Sequence, residues 1–246
     1  MRFSTENPYR RSSQIGRTKM YMNDTSQMVA HPYTGDIYSD WMGTLAPYYA
    51  RQGQQSSIYS NGSPTLICPA APCNFPLPAP GDVAGTVVSA WDWSKAGGGN
   101  HPQNDIVGSY GFNQWLYSDS GTGGLVDGGL YQTNVFMNQG NIHHPSMTPV
   151  LMDCNWINLL PLESDLPPNN LYAPGYSQNG MSRCCIPRNG SVNPGSAPKN
   201  FVFHPGVVLP GSINMGLMDG HVELAKLQNL WTYYWHATWV PSSVPP

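Results

Sequence analysis

Glycine and proline punctuate this chain so densely that neither a long helix nor a long strand can be drawn through most of it. There are 26 glycines and 24 prolines among 246 residues. Each proline removes a backbone donor and fixes φ, and each glycine adds to the entropy that a regular element must overcome. The residues that favour long exposed helices are also scarce. Charged side chains make up 10% of the chain, against roughly 25% in an ordinary soluble domain, so the Glu and Lys of solvated helix faces are few. Hydrophobic residues still reach 40%, enough for a core in one large domain or two small ones. Short strands and single helical turns joined by long irregular segments are therefore expected.

The best helix candidate runs from Arg11 to Met28, capped by Ser12 or Ser13 and weakened by Gly16. A second, shorter one covers Asp40 to Tyr49 and should end near Pro47. Val87 to Trp93 and Ile106 to Tyr117 alternate as strands do, and Met147 to Trp156 reads as a buried strand entered through a proline. Leu159 to Ser182 is a long polar loop, of a length that is functional or locally stapled in compact domains. The C-terminal part is the most legible. Ser212 to Met218 is apolar, Asp219-Gly220 is a turn pair, and His221 to Leu224 resumes the strand. A two-residue type I′ hairpin turn needs positive φ at both central residues, which Asp-Gly supplies. The aromatic run that follows (Trp231, Tyr233, Tyr234, Trp235, Trp239) is read as packing, on a short helix or a final strand.

The formal net charge is −3 and the chain has no basic stripe, which argues against binding nucleic acid by phosphate neutralisation. No apolar run is long enough for a membrane-spanning helix. The polar start, MRFSTENPYRRSSQ, lacks the apolar stretch of a signal peptide. Low charge with abundant Asn, Ser, Gly and aromatics suits an extracellular, periplasmic or cell-surface protein whose export signal is not in this chain.

Five cysteines bear on the same question. Cys68 and Cys73 bracket the loop CPAAPC, where a disulfide would staple a turn. Cys184 and Cys185 are adjacent, so strain disfavours a bond between them and each is read as seeking another partner, Cys154 being a candidate. The disulfide candidates are thus Cys68, Cys73, Cys154 and Cys185, with one thiol left over. Paired C-x-x-C knuckles for zinc are absent.

No catalytic signature stands out. A G-x-S-x-G elbow and an H-E-x-x-H helix are both missing. The weak catalytic candidates are Glu163, with Asp165 beside it in LESD, together with Asp153 and His221. His143 and His144 are adjacent, so one could join Asp153 and His221 around a metal; the plainer reading is a polar surface pair. Asp153 and Asn155 alternate to one side of a strand, and with Asp219 they offer oxygen ligands suited to calcium. Trp91, Trp93 and Trp115 lie near glycine-rich loops, where exposed rings would form a platform for a glycan; core packing is the alternative.

Several stretches together resemble a known group. INMGLMDGHVELAKLQNLWTYYWH is similar to the C-terminus of bacterial pseudopilin-like proteins, akin to type II secretion system protein G, that carry a prepilin-type processing-associated H-X9-DG domain. GSYGFNQWLYS, TPVLMDCNW and MSRCCIPRNG resemble mid-domain motifs of that group. QIGRTKMYMNDTSQM resembles the exit of the long pilin helix, with DWMGTLAPYY and LICPAAP following it. The likeness runs from about Gln14 to Trp239. It implies an α+β, pilin-like head: an N-terminal extension and helix remnant over residues 1–28, packed on the antiparallel sheet of a β-rich head over residues 29–246 with long irregular loops. It further implies a structural subunit of a secretion or surface filament, whose partners are other pilin-like subunits or secretion-system components, with calcium ordering the loops. An extracellular hydrolase acting on a polymer ester or glycan, built on such a head, is the alternative. Two departures stand out. Leu209 occupies the position of the family's histidine, and Arg188-Asn189-Gly190 is read as standing where relatives carry Arg-His-Gly, with an insertion after it. The hydrophobic anchor helix has no counterpart here, so the chain is read as the soluble head alone.

Overall fold

The computed structural model describes residues 29–30, 41–42, 45, 66–73, 82–93, 106–118, 132–175, 180–190, 193–204 and 206–246. The helix expected over Arg11 to Met28, and the division at residue 28, lie outside them. Among the described residues the strands are short: β1 Val29–Ala30, β2 Trp91–Trp93, β3 Ile106–Gly108, β4 Tyr110–Asn113, β5 Tyr117–Ser118, β6 Pro149–Asp153, β7 Asn158–Leu159, β8 Ser212–Leu217 and β9 Val222–Lys226. The central sheet has the order β7-β4-β6-β8-β9. Its pairs are antiparallel apart from β4 with β7. Two ribbons flank it, antiparallel β2–β3 and parallel β1–β5. The sheets are therefore mixed, and the wholly antiparallel expectation is corrected at β7 and β1. Trp41, Met42 and Leu45 are helical and buried, as expected of the second helix. Elsewhere the helical segments are 3-10 turns, the longest being Leu227–Thr232. The fold is coarsely α+β with little helix.

The strand expected from Ile106 to Tyr117 breaks at Ser109 for a hydrogen-bonding reason. Ser109 N–H donates to Leu66 O at 2.8 Å, its carbonyl accepts from Cys154 N–H at 3.0 Å, and its hydroxyl donates to Ala71 O at 2.6 Å. Committed in this way, Ser109 marks the corner where the chain leaves β2 and joins β6 and β7. Just before it, Gly108 lies opposite Trp91, and a Cβ there would sit 2.3 Å from the indole. The ring covers the glycine and fills the space a side chain would take.

The hairpin forms as expected, with a different turn. Gly220 N–H donates to Leu217 O and Leu217 N–H to His221 O, both at 2.9 Å. Gly220 has φ +103°, and Asp219 is not among the residues with positive φ. The loop is a three-residue connection, Met218-Asp219-Gly220, in which a type I turn is followed by a left-handed glycine, rather than a two-residue type I′ turn.

Tryptophans organise the irregular remainder. Trp41, Trp91, Trp115, Trp231 and Trp235 are essentially fully buried, and each indole N–H finds a backbone carbonyl. Trp41 donates to Ile157, Trp91 to Tyr110, Trp115 to Pro161, Trp231 to Asp165 and Trp235 to Leu230, over 2.7–3.2 Å. A buried indole contributes a large apolar area and a single donor that must be satisfied. Here that donor pins loops to the core. The segment after β7 is held twice in this way, through Pro161 and Asp165. Asp165 itself is buried, and its Oδ2 accepts from the backbone of Leu162 and Met181 at 3.0 and 2.9 Å. Burial pushes its carboxyl up despite those donors.

Candidate functional site

Polar side chains converge at three places. The first is buried under β6 and β8. Asp153 ends β6 and is completely inaccessible. Its Oδ2 accepts from Asn189 Nδ2 at 2.7 Å, from the backbone N–H of Asn214 at 2.8 Å and from Asn214 Nδ2 at 3.3 Å. Arg188 approaches Oδ1 at 3.8 Å, with both side chains fully buried. The guanidinium also donates to the carbonyls of Val87, Ser109, Thr86 and Cys154 over 2.5–3.3 Å. A buried ion pair is tolerated when its remaining donors and lone pairs are satisfied. This one ties the corner at Ser109, the end of β6, β8 and the turn before β2 to a single ion pair. No surface is left on Asp153 for a substrate.

The second place is exposed, at the tip of the β8–β9 hairpin. Asp219 Oδ1 accepts from His221 N–H at 3.1 Å and lies 2.6 Å from His221 Nδ1. His221 Nε2 lies 3.8 Å from Glu223 Oε2. Tyr233 OH donates to Glu223 Oε1. Burial, and then this carboxylate, hold the Tyr233 phenol well above its usual value.

The third place joins the C-terminal segment to the loop after β7. His236 is buried, with its ring edge-on to Trp115 and Trp239 at centroid distances of 5.2 and 5.1 Å. Its Nε2 lies 3.0 Å from Glu163 Oε2 and its Nδ1 3.3 Å from Thr238 Oγ1. Glu163 Oε1 accepts from Val240 N–H at 3.1 Å. Burial holds the imidazole below its usual value, against the opposing pull of Glu163.

The residues singled out from the sequence are thus dispersed among these places. Asp153, His221 and Glu163 each lie in a different one. Asp153 pairs with β8 beside Asn214, whereas Asp219 follows Leu217, which pairs with Pro149 at the far end of β6. Four strand steps separate those ends, about 13 Å. Asn155 turns away to donate to Gly175 O at 3.0 Å, and its buried Oδ1 has no hydrogen-bond partner among the described residues. Asp153, Asn155 and Asp219, read from the sequence as oxygen ligands for calcium, therefore do not converge on one point. Among the described residues no three His, Cys, Asp or Glu side chains form a ligand set. His143 and His144 are exposed, and the His144 ring stacks on Tyr234 at 3.9 Å.

The glycan platform is corrected. Trp91 and Trp115 are buried, and Trp93 is partly buried against the same core. No disulfide joins Cys68, Cys73, Cys154, Cys184 or Cys185 in this structure. The CPAAPC turn is closed by the backbone, Ala71 N–H to Cys68 O at 2.9 Å. Cys154 Sγ donates to Arg183 O at 3.1 Å and Cys184 Sγ to Met181 O at 3.3 Å. Burial pushes the Cys154 thiol up to about 11 and raises those of Cys184 and Cys185 above their usual value as well. Such thiols behave as small apolar residues rather than nucleophiles.

Arg188, His236 and Tyr233 were missed by sequence reasoning. Arg188 carried a signal, being a lone cation in an apolar stretch between Ile186-Pro187 and Asn189-Gly190. His236 lay hidden in a run read as packing. No protein-family model matches the chain, and no curated protein or solved structure is significantly similar to it.

Proposed function

We propose that this chain is the head of a pseudopilin-like protein, a structural subunit of a bacterial secretion or surface filament outside the cytoplasm, whose partners are other pilin-like subunits. One observation carries the reading. Arg188-Asn189 and Ser212-Ile213-Asn214 are far apart in sequence, yet Asn189 and Ser212 exchange two backbone hydrogen bonds of 2.8 Å. Asn189 and Asn214 both donate to Asp153. The Arg-x-Gly element and the strand leading to Asp-Gly, which resemble neighbouring parts of one family motif, are thus neighbours in space. The residues between them form an insertion closed at its base. On this reading Asn189 stands in for the family's histidine, and Leu209 is a buried residue of the inserted loop. The three polar centres serve the same function: they hold loops in place, and the largest of them is sealed from solvent.

The second reading is a hydrolase of a polymer ester or glycan. The line from Glu163 through His236 to Thr238 favours it, since an acid, an imidazole and a hydroxyl in sequence can activate a nucleophile. Thr238 Oγ1, however, donates to Asn134 Oδ1 at 2.6 Å, a shorter contact than the 3.3 Å to His236. Its proton is directed away from the base, which places this reading second.

Cross-linking in cells that produce the chain tests the choice. The chain should be recovered outside the cytoplasm, joined to pilin-like subunits. Turnover of an ester or glycan by the purified chain, abolished in H236Q, would establish the hydrolase instead.

A further inference from the structure

We propose that the tip of the β8–β9 hairpin binds a divalent transition-metal ion of the zinc class, through His221 Nε2 and Glu223 Oε2. This does not rest on the filament reading.

The inference starts from two acceptors that face each other. Glu223 lies in β9 and His221 immediately precedes that strand, and their side chains approach each other two residues apart. Asp219 Oδ1 lies 2.6 Å from His221 Nδ1. A carboxylate at that distance takes the Nδ1 proton as its hydrogen-bond donor. In the neutral imidazole this leaves the lone pair on Nε2. That lone pair faces Glu223 Oε2 across 3.8 Å, too far for a direct hydrogen bond. The arrangement is completed by a cation between the two atoms.

The spacing suits a metal. Zinc binds imidazole nitrogen and carboxylate oxygen at about 2.0–2.2 Å, so it can span two such atoms about 4 Å apart when nearly in line. A small rotation of Glu223 brings them to the shorter separation of a tetrahedral pair. Both side chains are within reach of solvent, at 44% and 37% exposure, so water can fill the remaining positions.

The supporting contacts are those that metal sites use. An imidazole whose other nitrogen is hydrogen-bonded to a carboxylate is held in the ligating tautomer and made more basic. Asp219 does this for His221. Tyr233 does the corresponding service for Glu223, by occupying Oε1 and leaving Oε2 for the ion. Asp219, in turn, is fixed by the loop carrying His143 and His144, since its N–H donates to Pro145 O at 3.1 Å. Those two histidines are the competing ligands nearest in the chain to that contact, which makes them the control.

Calorimetric titration of zinc into the full chain at pH 7.5, with nitrogen-15 imidazole spectra, tests this. One ion should bind and be removed by chelator, with the His221 Nε2 signal shifting while Nδ1 keeps its proton. H221A should abolish the binding and E223Q should weaken it. D219N should weaken it by about tenfold, the scale on which outer-shell partners act. The double variant H143A/H144A should bind as the parent does. Undiminished binding in H221A, its loss in H143A/H144A, or no binding by the parent chain would each overturn the proposal. Unchanged circular dichroism in H221A would show that loss of binding is not loss of fold.

Discussion

Two carboxylates stand at opposite ends of β8, and they have opposite surroundings. Asp153, near its start, is sealed from water and ringed by donors: Asn189, the backbone and side chain of Asn214, and Arg188. Asp219, just past its end, is open to solvent and holds one imidazole. Residue type does not separate them, since both are aspartates that directly follow a Leu-Met pair. Burial does. A buried carboxylate that lacked donors would cost several kcal/mol, so the fold has saturated Asp153 and left it inert. The hairpin tip is open to water, so Glu223 Oε2 stays within reach of a ligand there. In this molecule the polar cluster that resembles an active centre most is the one least able to act as one.

The comparison is most easily broken at Arg188. R188L should destabilise the fold by about 3–5 kcal/mol, because it leaves a buried charge and several carbonyls without a partner; urea unfolding measures this. A loss below about 1 kcal/mol would mean that Asp153 is wetter than its burial implies. At the other end, G220A should cost about 1–2 kcal/mol, the strain of a left-handed backbone carrying a Cβ, in the same assay. Smaller is the pH effect at His236, a buried histidine to set beside the exposed His221. Its folded value is depressed, so the unfolded chain binds the proton more readily. Stability should therefore be complete above about pH 6.5, the unperturbed histidine value, and fall as the pH drops below it. Asp165, raised by burial, contributes in the opposite sense, with stability lost as the pH rises above its unfolded value. H236Q should flatten the decline between neutral and mildly acidic pH. Smallest of all, H221A should change stability by no more than about 0.5 kcal/mol, as exposed substitutions do. A loss comparable to that of R188L would erase the distinction between the two ends.

How much of this was legible beforehand follows the same division between local and distant causes. The hairpin was readable because Asp-Gly between apolar runs is a local signal, although the bulged three-residue form depends on which φ values the strands impose. The buried strand at Pro149 to Asp153 was readable from its apolar run. The break at Ser109 was not, because the groups that claim it come from Leu66, Ala71 and Cys154. The tryptophans near glycines looked exposed for the same reason. Gly108 is small because Trp91 covers it, a relation visible only once β2 and β3 are paired. Of the site residues, the Asp219–His221–Glu223 spacing was within reach of a period-two argument. The meeting of Glu163 and His236 joins residues too distant in the chain for any pattern to show.

The bridge between Asn189 and Ser212 has a consequence for how this chain can vary. Both backbone bonds of that pair lie at the mouth of the segment between them, beside the contacts to Asp153. The segment it closes is also tied to the body of the fold, through Pro198 O, which accepts from the N–H groups of Leu171 and Tyr172, and through the buried Ala197 and Leu209. Its exposed turn, Pro194–Ser196, carries no buried residue, so a foreign segment could be spliced there while β8 keeps its register. The same chain could thus present different surfaces from one unaltered frame.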